Sequence, residues 1–169
     1  KIKQLNAEYD LENNAYLSFS GGKDSTILHY LIDLAMPNNN IPRVFINTGI
    51  EYNAIVEFVK DMQKTDPRII IINSNVNIKQ MLEKYGYPFK SKEHSLKVSE
   101  YKKGSRAKSI IYYKEMQDKS KYACPKKLLY QYNDDFKIKL SNKCCYKLKK
   151  DPFLKWEREN NKFIAITGM

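Results

Sequence analysis

The stretch Ala15–Ser25, AYLSFSGGKDS, decides the architecture. Ala15 to Phe19 is a short run of strand formers, stopped by Ser20, Gly21 and Gly22. Beyond Asp24 and Ser25, the residues Ile27, Leu28, Leu31, Ile32 and Ala35 are apolar at helical spacing. Strand, tight glycine turn and helix thus follow one another, the unit that turns backbone N–H groups toward an anion at a helix N-terminus. Paired glycines let the main chain approach a ligand closely, because no Cβ intervenes. Ser20 and Ser25 add hydroxyls, and Lys23 adds a mobile positive charge. The collection suits a phosphate chain, against the plainer reading of a serine–glycine turn that caps a helix.

Outward from this unit, strands and helices alternate. Before it, Ile2, Leu5 and Tyr9 are helically spaced, with Asn13-Asn14 as a stop. After it, PNNNIP (37–42) is a connection, RVFIN (43–47) a second buried strand, and Ile55, Val56, Val59 and Met62 a helix. RIIIIN (68–73) reads as a third strand buried on both faces. Ile78, Met81, Leu82 and Tyr85 mark another helix, ended by Gly86. This alternation predicts a doubly wound, mostly parallel α/β sheet. From Pro88 the pattern changes, and residues 90–162 read as a basic helical insertion with no convincing strand over 90–150. FIAIT (163–167) is a late strand expected to rejoin the sheet. One domain over 1–169 is predicted, with 1–89 and 163–169 as its α/β core.

Two familiar phosphate motifs do not fit. The Walker loop needs four residues between its first glycine and the Gly-Lys pair, and the dinucleotide fingerprint needs G-x-G-x-x-G. SFSGGKDS (18–25) instead resembles the pyrophosphate-binding loop of the phosphoadenylyl-sulfate (PAPS) reductase-like family, within the pyrophosphatase-loop superfamily (adenine nucleotide alpha hydrolase-like). The resemblance implies that Ser20, Gly21, Gly22, Lys23, Asp24 and Ser25 hold the phosphates of PAPS, adenylyl sulfate or ATP. Lys23 would act catalytically by stabilising charge on the leaving group, and ATP would bring Mg²⁺.

Asn47–Glu51, NTGIE, resembles the D-T-G / N-T-G segment of that family and places Asn47, Thr48 and Gly49 beside the adenosine. It lies at the end of the second strand, where open parallel sheets bind ligands. Glu51 either positions a metal or substrate amine or begins the next helix with favourable charge. ITGM (166–169) stands where the family has G-x-R, so Gly168 joins the nucleotide-binding set. The sequence stops one residue short of that arginine, and the E-C-G-I-H element bearing the reductase nucleophile is absent from it.

KCCYKLKKDPF (143–153) resembles the C-C-x-x-R-K-x-x-P-L element of adenylyl-sulfate reductases. This makes Cys144 and Cys145 candidate catalytic thiols or iron–sulfur ligands. With Cys124 there are three cysteines, whereas such a cluster takes four, so the ligand set is incomplete. The alternatives are thiols activated by Lys143, Lys147 and Lys149, or small residues buried under a helix. His29 and His94 are too isolated in sequence to propose as a metal pair. Lys90, Lys92 and His94 form either a pocket for a sulfate or 3′-phosphate, or a solvated loop.

Charge is unevenly spread. Residues 1–89 carry 9 Lys+Arg against 10 Asp+Glu, and residues 90–169 carry 21 against 9. A basic second half, with lysines interleaved among Tyr112, Tyr113, Tyr122, Tyr130 and Tyr132, is compatible with a nucleic-acid partner. The same pattern also fits solvated helices and core tyrosines. No apolar run approaches the roughly 20 residues of a membrane span, and the chain begins at Lys1 without a signal-like segment or an initiating Met. A cytoplasmic protein, trimmed from a longer product, is the expectation.

The functional expectation is therefore an adenine-nucleotide enzyme of sulfonucleotide reduction, served by a thioredoxin-like reductant. The alternative is an ATP pyrophosphatase that adenylates a substrate for sulfur transfer, with nucleic acid as one such substrate.

Overall fold

The computed structural model describes residues 1–74 and 76–168. They fall into two compact units, Lys1–Asn75 with Leu148–Met169, and Val76–Lys147.

The first unit is built on a four-stranded, all-parallel sheet. Its strands are β1 (Ala15–Ser18), β2 (Arg43–Asn47), β3 (Ile69–Asn73) and β4 (Ile164–Ile166), in the order β3-β2-β1-β4. Register pairs Ala15 with Ile164 on one side of β1 and Leu17 with Arg43 on the other. The chain is wound outward from β1 to β3 and then returns to the opposite side of β1. The α/β class and the late strand's return are as the sequence predicts.

Period-two alternation divides the strand residues between two layers. Ala15, Leu17, Phe19, Phe45 and Ile69 face a core shared with α3 (Lys23–Ala35) and α4 (Asn53–Thr65), through Ile32, Leu28, Val59 and Ile55. Tyr16, Val44 and Ile46 face the other layer, where α8 (Asp151–Asn160) packs Phe153 and Trp156 against them. Tyr16 anchors that helix: its ring lies 5.6 Å from Phe153 and 5.2 Å from Trp156, and its hydroxyl donates to Glu157 at 2.7 Å. Thus α8, read in the sequence as part of the basic segment, covers one face of the sheet.

The third strand is a correction. Four consecutive isoleucines imply burial on both faces, but only Ile69 is buried while Ile70, Ile71 and Ile72 are half-buried. The physical reason is position: β3 is the sheet's edge, so β2 covers just one side of it.

Ahead of the sheet, α1 (Ile2–Tyr9) and α2 (Leu11–Asn14) are separated by Asp10, in the left-handed region at φ 48°. The second unit holds α5 (Ile78–Tyr85), α6 (Lys92–Lys102), α7 (Lys108–Glu115) and a 3-10 segment at Lys126–Tyr132. Val98, Tyr113, Cys124, Tyr132 and Leu140 form its core. The stretches between are irregular, so residues 90–150 are less helical than their lysine-rich period predicts. Among the described residues no helix is long and apolar enough to cross a membrane.

Candidate functional site

The SGGKDS loop occupies the carboxyl end of β1, where strand order reverses between β2 and β4. Open parallel sheets bind ligands in the crevice at that switch point. Gly21 sits at φ +69°, a conformation that side chains resist. A Cβ there would also come within 2.8 Å of Val59 Cγ2 and 2.9 Å of Ile55 Cγ2 on α4. Gly21 is therefore required twice, by conformation and by packing.

Gly22 is the N-cap of α3 and supplies no side-chain acceptor to the helix's first N–H groups. The Gly22 carbonyl is occupied: it accepts from Ser25 Oγ at 3.0 Å, Thr26 Oγ1 at 2.9 Å and Thr26 N–H at 3.0 Å. Ser20 N–H donates to Ser25 Oγ at 3.2 Å, and Gly22 N–H to Ser20 Oγ at 3.3 Å. The two serines brace the turn, Ser25 from a buried position, while Lys23 and Asp24 are exposed. Thr26, not singled out in the sequence, belongs to the same bracing; its position next to the motif was the available signal.

Gly168 closes the other side. Past the end of β4, it lies so near the first turn of α3 that a Cβ would come within 3.0 Å of the Asp24 carbonyl carbon and 3.1 Å of its oxygen. The structure thus joins Gly168 to Ser20–Ser25. Met169, the following residue of the ITGM motif, lies outside the described residues.

Asn47 ends β2, and Thr48 and Gly49 follow it at the same sheet edge. Asn47 Oδ1 accepts from Gly49 N–H at 3.1 Å, and its amide donates to Asn73 Oδ1 at 3.1 Å. Gly49 holds φ +83° with open space around it. Glu51 stands ahead of α4 rather than beginning it. It accepts from Thr48 N–H at 2.8 Å and from Thr48 Oγ1 at 2.7 Å, with Lys149 at 3.5 Å, while α4 begins only at Asn53. Burial raises its affinity for a proton, but the Thr48 hydrogen bonds and the Lys149 charge outweigh it and hold the carboxyl below its usual range. Glu51 locks the turn.

A shallow groove of about 470 Å³ lies beside the loop, lined by Gly21, Lys23, Thr26, Ile27, Ala54, Ile55 and Phe58. Its size is that of a small-ligand cleft. Its lining is mostly apolar, with Lys23 as the charged group. Asn47, Thr48 and Gly49 are not among the lining residues.

The cysteines belong to the second unit. Cys144 and Cys145 are half-buried free thiols, and Cys124 is buried. Burial pushes the Cys124 thiol up, away from the thiolate form. Among the described residues no cysteine joins a group of three metal-ligating side chains. The three thiols by themselves are one short of the four that an iron–sulfur cluster takes.

One potential ligand group does exist, at His29, Asp33 and Asp66. It is filled by arginines. Fully buried Arg43 donates to His29 Nδ1 at 3.2 Å, Asn39 Oδ1 at 2.8 Å and Asp33 Oδ1 at 2.7 Å, and also to the Ile41 carbonyl. Arg68 reaches Asp33 and Asp66 at 2.7–2.9 Å. Two guanidinium groups already balance the two carboxylates, so a further cation meets repulsion. In the second unit, buried His94 is likewise committed, with Gln131 Oε1 2.7 Å from Nε2 and the Tyr113 hydroxyl 3.1 Å from Nδ1.

Comparison with known proteins bears on the family. An uncharacterized protein of Methanocaldococcus jannaschii, MJ0973, is 34% identical over 73 residues, covering 43% of this chain and 17% of that protein's length. No solved structure matches. The family profile described as the phosphoadenosine phosphosulfate reductase domain matches residues 14–119, more than half of the chain and inclusive of both the SGGKDS and NTGIE turns. The chain belongs to the phosphoadenosine phosphosulfate reductase domain family.

Proposed function

We propose that the SGGKDS loop binds the phosphates of an adenine nucleotide, and that the protein acts on a sulfonucleotide such as PAPS or adenylyl sulfate. The observation that carries this reading is the glycine cradle at the β1/β4 switch point: a helix start whose N-cap is glycine, Lys23 beside it, and Gly168 packed onto Asp24. Helix-terminal N–H groups and Lys23 neutralise phosphate charge and stabilise it on the departing nucleotide. Asp24 contributes through its backbone N–H, because its carboxylate repels a phosphate directly; with ATP, this one carboxylate of the loop would be the group to hold an accompanying Mg²⁺. Asn47–Gly49 takes the adenosine side. Two electrons from a thioredoxin-like dithiol would convert the sulfonyl group to sulfite, leaving a disulfide and the desulfonated nucleotide.

A second reading is ATP pyrophosphatase chemistry, in which the loop holds the leaving pyrophosphate while a substrate is adenylated for sulfur transfer. The glycine start of α3 and Lys23, which suit a phosphosulfate, suit a leaving pyrophosphate equally. Calorimetric titration with PAPS, adenylyl sulfate and Mg-ATP separates the two. Sulfonucleotide binding at least tenfold tighter than ATP, and weakened by Lys23→Ala, supports the first. Preference for ATP with pyrophosphate release supports the second, and no binding of any of the three overturns both.

A further inference from the structure

The helix α3 is apolar on its outside as well as its inside. Leu28, Ile32 and Ala35 pack on the core, and Arg43 holds His29 and Asp33. Beyond Asp24, the exposed residues of the helix are Ile27, Tyr30, Leu31 and Leu34, at 48, 61, 46 and 79% exposure. Their spacing (i, i+3, i+4, i+7) lines them along a single stripe. Neighbouring α4 packs on the same core yet exposes Glu57, Lys60, Asp61 and Lys64 around Phe58. A helix that is apolar all round belongs in an interior. The four side chains expose about 500 Å², near the top of what a monomer leaves in one apolar patch, and patches of that size are commonly contact surfaces.

The stripe is complementary to itself. Positions 27 and 34, and likewise 30 and 31, stand symmetrically about its midpoint. A twofold axis there sets Ile27 against Leu34 of a second copy, and Tyr30 against its Leu31, so that every facing pair is apolar. Contacts of this isologous kind close into a dimer. The two helix dipoles run antiparallel, and exposed Lys23 and Asp24 at one end come toward the neutral, exposed Pro37 and Asn38 at the other. The unit that carries the stripe holds 12 Lys+Arg against 12 Asp+Glu, so two copies meet there without net repulsion. Phe58 extends the surface, since it lines the same groove as Ile27. Two such surfaces with their polar rims bury about 1,200 Å² in all, the lower end of stable interfaces.

We propose that the protein pairs with a second copy of itself through the α3 stripe, antiparallel about an axis between Tyr30 and Leu31. The symmetry of the stripe selects a second copy over a different protein or a bilayer, which any order of apolar residues would serve. A tyrosine at the centre of the contact, facing a leucine, is an ordinary interface anchor. The inference does not rest on the nucleotide reading, because none of the four stripe residues belongs to the SGGKDS, NTGIE or Gly168 group.

The test is analytical ultracentrifugation of the full chain from about 2 to 200 μM, where the dimer fraction should rise with concentration. Leu34→Glu and Ile27→Lys should each weaken pairing about tenfold or more, because each sets a charge against an apolar side chain. An equimolar mixture of the two variants should regain it. Antiparallel pairing then joins the introduced carboxylate and ammonium at one end and leaves Ile27 on Leu34 at the other. Salt raised to about 500 mM should not dissolve the wild-type dimer, since apolar contacts are not screened. Circular dichroism of each variant identifies any loss caused by unfolding; Leu34, the most exposed of the four, is the substitution the fold tolerates best. The proposal is overturned by a wild-type monomer at every concentration, by a dimer that salt dissolves or that ignores Leu34→Glu, or by a mixture that stays monomeric. A monomer that sediments with phosphatidylcholine vesicles overturns it in favour of a lipid-facing helix.

Discussion

Gly168 is pressed against the backbone of Asp24, so that a residue two positions beyond β4 forms a wall of the SGGKDS turn at the end of β1. A methyl group at Gly168 must push the first turn of α3. Overpacking of this kind costs about 1–3 kcal/mol, and here it acts on the N–H groups proposed to meet the ligand. Gly168→Ala should weaken nucleotide binding about tenfold or more, with a smaller effect on the melting temperature. Titration beside a thermal melt checks this; unchanged affinity would show that Gly168 is a bystander.

Gly21→Ala combines a left-handed backbone with contacts of 2.8 and 2.9 Å to Val59 and Ile55. Strain and overlap together should cost about 2–4 kcal/mol. Adding Val59→Ala removes part of the overlap. The double variant should thus be more stable than the sum of the two single losses, measured by denaturant unfolding. Strict additivity would mean that the clash is relieved some other way.

Arg43 and Arg68 share Asp33, yet they are not equivalent. Arg43 is fully buried and satisfies His29, Asn39 and the Ile41 carbonyl, whereas Arg68 is partly exposed. Arg43→Met strands several buried acceptors and should cost about 3–5 kcal/mol. Arg68→Met should cost clearly less, because water can replace its contacts. Chemical denaturation of the two variants decides the order.

Acid should unfold the protein in two stages. Burial first, and the Arg43 charge second, lower the proton affinity of His29 despite Asp33 and Asp66. Burial does the same to His94, against the Gln131 hydrogen bond. An unfolded histidine titrates near pH 6.5, so below about 6.5 the unfolded chain takes up protons first and stability falls. Burial raises Asp33, but hydrogen bonds from Arg68 and Asn39 and the Arg43 charge bring it down to about 2. Its contribution is present above pH ~4 and is lost as pH falls toward 2. Melting temperatures from pH 8 to pH 2 should decline twice; a flat profile between pH 7 and 5 contradicts the histidine assignment.

Much of this was legible in the sequence because local pattern and tertiary role coincide. AYLSF, RVFIN and FIAIT are apolar runs ended by turn residues, and all three pair in the sheet. The turn at Gly21-Gly22 announces its own backbone. What escaped reading depends on partners far along the chain. The lysines around Phe153 and Trp156 hide a helix whose aromatic face seats on Tyr16. Nothing in RVFIN reveals that Arg43 is buried, since its acceptors come from α3 and the 37–42 connection. Glu51 looked like a ligand or a helix start, and only the folded turn shows it bound to Thr48.

Placing β4 beside β1 has a consequence for synthesis on the ribosome. The loop, α3 and the first three strands emerge early, while Ile164–Ile166 and Gly168 come much later. Until then one edge of β1 has no neighbour, and an open strand edge invites pairing with other chains. A nascent chain halted before Ile164 would carry the entire SGGKDS motif but only one wall of its crevice. Nucleotide capture should therefore report that translation has passed the last strand.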